Sequence, residues 1–321
     1  MLARIAHELY WLGRNLARAE FTARAVDAVF HAELQGASDT APGVSFGSGG
    51  LLAMLGDAGE SAGGALGQLT LDSERPGSML ASVERARDGA RTVRDVISAD
   101  MWQAINTTAL GLRGGGQPGW AAPAGPFLAS QYVKERTALI WGIANRSMLR
   151  DEAKCFLDAG GLIEIADMVL RMLHVALPPG DSPSADGTAL ILLQAVGGFH
   201  AYLRAVTAAP NAQPVARFLL FERAYPDSVA ACVDSLHEVF READAGPRNS
   251  KPVLRVSRLA ADLDFKRRAL PEGAELTGIC RETQQELARI DHDVAERYFG
   301  GAAGAGASVG LGTGAGEAAL A

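Results

Sequence analysis

Ile5, Leu9, Leu12, Leu16, Ala19, Ala23, Val26 and Phe30 recur at intervals of three and four residues, the spacing that gathers side chains on one face of an α-helix. The helix they predict runs over residues 3–34, and its opposite side limits what the chain can fold into. At about 100° per residue, His7, Trp11, Arg14, Arg18, Phe21 and Ala25 fall within about 80° of one another, away from the Ile5/Leu12/Ala23 face. A helix lying on a protein surface has no use for Trp and Phe on its outer side. The stripe is therefore expected to meet another helix of the chain, a partner protein, or an anionic ligand held by the two guanidinium groups. The plainest version pairs the arginines with carboxylates of the same chain.

The periodic signal continues as helix throughout. Residues 36–77 change character, with many Gly and Ser, Pro42 and Pro76, and read as an irregular insertion with room for one or two short helices. Ser78 is a plausible N-cap for a second long helix that extends through Trp102 and Ile105 and ends over 106–112. After a Gly- and Pro-rich break at 114–126, helices are expected at 127–147, 150–177, 188–207, 214–224, 227–242, 252–266 and 272–299. No segment shows two-residue alternation bounded by turn residues. The fold class is all-α: a single large multi-helix bundle over residues 1–299 with long loops. Residues 300–321 contain eight Gly and eight Ala, leaving little to pack, and read as a disordered tail.

A weak internal repeat lies inside this pattern. Placing Gly13 over Gly160 brings Leu9 onto Phe156, Leu16 onto Ile163, Ala19 onto Ala166 and Val26 onto Leu173, with Glu20 on Asp167 and Arg24 on Arg171. Any two amphipathic helices slide into apolar register, so only the glycine, the acid and the arginine bear on duplication. If the repeat is real, the two helices pack as pseudo-symmetric partners at the middle of the bundle.

Charge and motifs narrow the function. Thirty Lys and Arg against 37 Asp and Glu, net −7, argue against nucleic-acid binding through overall charge. The longest apolar run falls short of a membrane span, and His7, Glu8, Arg14 and Arg18 interrupt any signal-peptide core, so a cytoplasmic protein is expected. Cys155, Cys232 and Cys280 stand apart, without a CxxC, and read as buried thiols. No metal or cofactor is expected. There is no Glu-x-x-His pair, Gly114–Gly116 lacks the Gly-Lys-Ser/Thr of a phosphate loop, and of the cluster Glu286, Asp291, His292, Asp293 and Glu296 on the last helix, Glu286, Asp293 and Glu296 span a broad solvated face. What remains is a set of charged residues. Arg91, Arg94, Asp95, Asp100 and Trp102 share one helix, and Arg150, Asp151 and Glu152 open another. They suit either arginine–carboxylate networks that fix helix register, or a cleft. In such a cleft Arg14, Arg18, Arg94 and Arg150 receive a carboxylate or phosphate, while Glu20, Glu164 or Asp151 orient an amine.

The segment Leu9-Tyr10-Trp11-Leu12-Gly13-Arg14-Asn15-Leu16-Ala17-Arg18-Ala19-Glu20-Phe21-Thr22-Ala23-Arg24 resembles the opening signature of the bacterial alpha-E family, helical proteins named for a Glu-Arg motif. The resemblance continues in Ala90 to Asp95, in Ser98 to Trp102 with Asn106, in Met148 to Glu152, in Leu162 to Asp167 and in Phe218 to Arg223. In order, these blocks span the chain from residue 1 to residue 299. The chain departs from the family's pattern at the motif itself: Ala17-Arg18 stands for the first Glu-Arg, Glu164-Ile165 for the second, and Gly161 where an arginine is common. The resemblance implies association with circularly permuted ATP-grasp-like ligases and transglutaminase-like proteases, hence with a peptide- or amide-forming pathway. The expected role is a non-catalytic accessory or scaffold subunit that docks such a ligase through the aromatic and arginine stripe. The alternatives are an enzyme of the same pathway acting on a small amide or amino acid, and a ligand sensor. The candidate binding residues are Tyr10, Trp11, Arg14, Arg18, Glu20, Arg24, Arg94, Trp102, Asn106, Arg150, Asp151 and Glu164.

Overall fold

The computed structural model describes residues 1–35, 46–56, 64–113, 120, 124–176, 185–244 and 250–300; the expected tail beyond residue 300 lies outside them. Among the described residues every regular element is a helix: α1 (Ala3–Leu34), α2 (Ser48–Leu55), α3 (Ala65–Leu71), α4 (Met79–Thr92), α5 (Ala99–Arg113), α6 (Gly125–Ser147), α7 (Glu152–Ala176), α8 (Ala185–Ala195), α9 (Phe199–Ala205), α10 (Ala212–Phe221), α11 (Val229–Ala243), α12 (Lys251–Arg268) and α13 (Gly273–Tyr298). The first helix occupies the span its periodicity predicts.

Two expected helices are broken. The one predicted over 78–105 divides into α4 and α5, because the Ser98 hydroxyl accepts the Met101 N–H at 3.1 Å and starts a new helix. The one predicted over 188–207 divides into α8 and α9 at Gly197, which takes the left-handed conformation with φ +72. The insertion is more than a connection. Leu51, Leu52 and Met54 of α2 and Leu69 of α3 are fully buried in the common core.

The centre of the molecule is the crossing of α1 and α7, with glycine on both sides. A β-carbon on Gly13 would lie 2.0 Å from the Leu157 carbonyl oxygen, and one on Gly160 would lie 1.9 Å from that of Tyr10. Each oxygen belongs to the residue three before the opposing glycine, so the contact is reciprocal about a local two-fold axis. The two backbones touch only because neither residue carries a side chain.

The rest of the fold repeats about that axis. Ser78 and Ser228 begin α4 and α11 in the same way: each hydroxyl accepts the N–H of Ala81 or Ala231, at 3.0 and 3.1 Å, and donates to the carbonyl of Asp72 or Glu222, at 2.5 and 2.6 Å. The carboxylates of those two acidic residues accept the N–H two residues further on, from Glu74 and Ala224. Pro76 and Pro226 occupy the same place in both loops. The packing partners match as well. The series α1 with α4, α4 with α5, α5 with α6 and α6 with α1 recurs as α7 with α11, α11 with α12, α12 with α13 and α13 with α7. The short helices are exchanged, α2 lying on α7 and α8 on α1. The chain is a duplicated helical unit, α1–α6 and α7–α13, with α9 added in the second copy.

Candidate functional site

Arg14 follows Gly13 at the crossing and Arg18 lies one helical turn later, so both guanidinium groups reach the same neighbour on α7. That neighbour is Glu164, one turn after Gly160. Arg14 Nε donates to Glu164 Oε2 at 2.8 Å and Arg18 Nε to Oε1 at 2.5 Å. Arg14 Nη1 also donates to Asp291 Oδ1 on α13 at 3.0 Å, and the Tyr10 hydroxyl donates to the same oxygen at 2.5 Å. The Arg14 guanidinium lies 4.8 Å from the centre of the Trp11 ring. Asn15 extends the network, accepting from Arg85 Nε at 3.1 Å.

Glu164 is 1% exposed, and burial alone would raise its carboxyl; Arg18 and Arg14 outweigh that and hold it at about 2. Burial opposes the charge on Arg14, yet Glu164 and Asp291 keep it more firmly protonated than an ordinary arginine. Arg85 is shifted the other way, by burial and by the facing charge of Arg18. Burial, then Asp291, raise the Tyr10 hydroxyl. The cluster is a set of fixed charges that neutralise one another.

The duplication shows what the missing motif residues mean. In the register of the two glycines, Arg14, Arg18 and Glu164 correspond to Gly161, Ile165 and Ala17. One side of the axis carries the complete charged trio, and the other side carries none of it. The Trp141 indole takes the place of an arginine, approaching to 3.0 Å of where a β-carbon on Gly161 would stand. The two incomplete Glu-Arg motifs read from the sequence are therefore the two halves of one assembled site. Removing the acid at position 17 leaves no partner for buried arginines at 161 and 165, so the physics favours losing all three together.

Glu20 and Arg24 form a second pair at 2.5 Å, and Arg24 continues to Asp227 at 2.9 Å. Its counterpart is Asp167 with Arg171, at 2.7 Å, where Gln284 also donates to Asp167. The carboxyl of Glu20 is raised by burial against the pull of Arg24.

The other candidates lie elsewhere, and the expected cleft joining Arg94 and Arg150 to Arg14 and Arg18 is not formed among the described residues. Arg94 stacks over Trp102 at 5.4 Å beside the α4–α5 turn, and Asn106 accepts from Arg87 at 2.7 Å. Asp151 caps α7, accepting the N–H groups of Ala153 and Lys154 at 3.0 and 3.2 Å. Arg150 is exposed on the turn before it. The stripe on α1 is closed by the chain itself: Arg14, Phe21 and Ala25 are buried, and His7, Trp11 and Arg18 are half-buried. Helices α7 and α13 pack against it. Sequence reading missed Asn15 and Arg85 and named Asp291 only within a cluster on the last helix; Asp293, expected on the solvated face of that helix, is instead 5% exposed and paired with Arg255 at 2.7 Å. Asp291 left a signal, since it falls between Leu287, Val294 and Tyr298 on the packed side of α13 instead of on the solvated face.

The three cysteines are free and buried, and burial pushes Cys155 to about 11 and Cys280 to about 12, leaving them protonated thiols. Among the described residues no group of three or more His, Cys, Asp or Glu is placed to hold a metal ion, and no helix is long and apolar enough to cross a membrane.

No solved structure matches this chain. An uncharacterized protein of Mycobacterium bovis is 27% identical over 319 residues, covering 89% of this chain and 35% of the relative. An uncharacterized protein of Mycobacterium tuberculosis is 26% identical over 319 residues, with the same shares covered. The chain thus spans about a third of the length of the curated relatives it matches. The Alpha-E family, described as a predicted alpha-helical domain with a conserved ER motif, matches residues 1–299. With the motif's arginines supplied by one copy of a duplicated unit and its glutamate by the other, the chain belongs to the Alpha-E family.

Proposed function

We propose that the chain is a non-catalytic accessory or scaffold subunit of a peptide- or amide-forming system built on an ATP-grasp-like ligase, with a transglutaminase-like protease as a further partner. One observation carries the scaffold part of this reading: the charged centre is consumed in joining the two halves of the fold. Glu164 is held ionised far below neutral pH by two arginines, a state suited to a structural tie and unsuited to proton transfer at neutral pH. The mycobacterial relatives support a module that works beside something else, since the matched region is only about a third of their length. The ligase itself comes from the family resemblance. Because the α1 stripe is closed, docking falls to the outer surface of the bundle and not to Arg14 and Arg18. The same reading puts the chain in the cytoplasm, where three unpaired thiols stay reduced.

The test is affinity isolation of the tagged chain from its native cell, followed by mass spectrometry. Recovery of an ATP-dependent amide or peptide ligase in comparable amount is the expected result. Isolation of the folded chain without any ligase or protease of that kind overturns the reading.

A further inference from the structure

The two copies of the helical unit also differ where the start of each long central helix passes the end of the other copy. At the start of α1 the space is filled by rings. His7 and Trp11 on α1 lie 6.3 Å apart, and Phe299 meets His7 edge-on at 5.3 Å. In the glycine register His7 corresponds to Lys154 and Trp11 to Asp158. In the register of the capping serines, Gly89 and Thr92 on α4 correspond to Val239 and Glu242 on α11.

These exchanges replace aromatic packing with a cavity of about 260 Å³ at the start of α7. Lys154, only 9% exposed, donates to both carboxylate oxygens of Asp158 at 2.5 Å and so forms a neutralised floor. Met148 and Val239 supply an apolar wall. Arg150 and Glu242 stand exposed at the rim, and neither forms an ion pair among the described residues.

A single anion entering this cavity meets Glu242 and Asp158, and a single cation meets Arg150 and Lys154, so each is opposed as well as attracted. A molecule with one charge of each sign satisfies both rim residues. The planar guanidinium of Arg150 matches a carboxylate in two-point contact, and Glu242 accepts from an ammonium group. The volume lies below the usual range for drug-sized ligands, which confines the occupant to a small metabolite with a short apolar body. We propose that the cavity between the α6–α7 turn, α7 and α11 binds a free aliphatic amino acid. This goes beyond the scaffold role and adds a small-molecule site distinct from the Arg14–Glu164 pair.

Leucine is the first probe, measured by calorimetry and by thermal melting of the full chain, with N-acetyl-leucine and leucine methyl ester as controls that each lack one charge. Leucine is expected to give saturable heat and to raise Tm, and both controls to bind at least about tenfold more weakly. Arg150→Ala and Glu242→Gln alter exposed side chains and leave the ligand-free Tm unchanged; each is expected to weaken leucine binding by about tenfold or more. The absence of saturable leucine binding overturns the proposal. So does binding that ignores both substitutions, or N-acetyl-leucine binding as tightly as leucine. No ligase enters the measurement, so its outcome is independent of the scaffold reading.

Discussion

Replacing Glu164 with Gln tests the charge cluster directly. The carboxyl moves from an ordinary value of 4.5 to about 2 on folding. At about 1.4 kcal/mol per pH unit, its ionised form therefore contributes about 3 kcal/mol to stability at neutral pH. Glutamine keeps an acceptor for one arginine and leaves the second unneutralised beside it, so the expected loss is about 3 to 5 kcal/mol. At about 2 °C per kcal/mol for a chain of this length, Tm falls by roughly 6 to 10 °C. The pH dependence has a fixed sign. The folded carboxyl titrates below the unfolded one, so the contribution is complete above about pH 4.5 and is lost as pH falls toward 2. Urea unfolding followed by circular dichroism should show a gap between wild type and Glu164→Gln that is constant from pH 7 to about 4.5. The gap narrows by about 2 kcal/mol by pH 3, where the unfolded carboxyl is protonated while the folded one is still mostly ionised. A loss below about 1 kcal/mol, or a gap that does not narrow in acid, refutes the reasoning. The triple replacement Arg14→Met, Arg18→Met and Glu164→Leu should regain most of the loss, because the opposite side of the axis already packs without charges.

Gly13→Ala and Gly160→Ala each drive a β-carbon into a carbonyl oxygen; either should destabilise by more than about 3 kcal/mol in urea titration, and unchanged stability of either variant contradicts the close crossing. Ile165→Arg alone should destabilise by about 1 to 3 kcal/mol, and Ala17→Glu added to it should recover part of that; a double-mutant cycle without favourable coupling refutes the equivalence of the two sides. Ser78→Ala and Ser228→Ala should each remove about 1 to 2 kcal/mol, with additive effects in the double variant, since both serines cap a helix in the same manner.

Much of this architecture is legible in the chain because it rests on local rules. The helix over 3–34 shows itself by spacing alone, and Ser78 by its place before a periodic run. Gly13 and Gly160 disclose the repeat because a backbone contact tolerates nothing larger. The breaks at 93–98 and 196–198 are hidden for physical reasons. Val93, Val96 and Ile97 continue the apolar rhythm through the first, and the second turns on the backbone conformation of Gly197. The pairing of Arg14 and Arg18 with Glu164 joins residues far apart in sequence, and no periodicity reports which acid meets which base. The five candidates outside the charged clusters, Arg94, Trp102, Asn106, Arg150 and Asp151, carry the right chemistry but sit on elements that face elsewhere.

The exchanged short helices bear on the origin of the fold. An ancestral gene encoding one copy would have produced a chain whose long central helix was bare along one side and whose α2-like segment had no cradle of its own. Two such chains would satisfy each other by clasping arms around a shared glycine contact, as the two halves of this chain do. Fusion then freed the two halves to diverge, which a symmetric dimer of identical chains forbids. Among the described residues, the Arg14–Arg18–Glu164 trio on one side of the axis and the Lys154–Asp158 cavity at the start of α7 are the mark of that freedom.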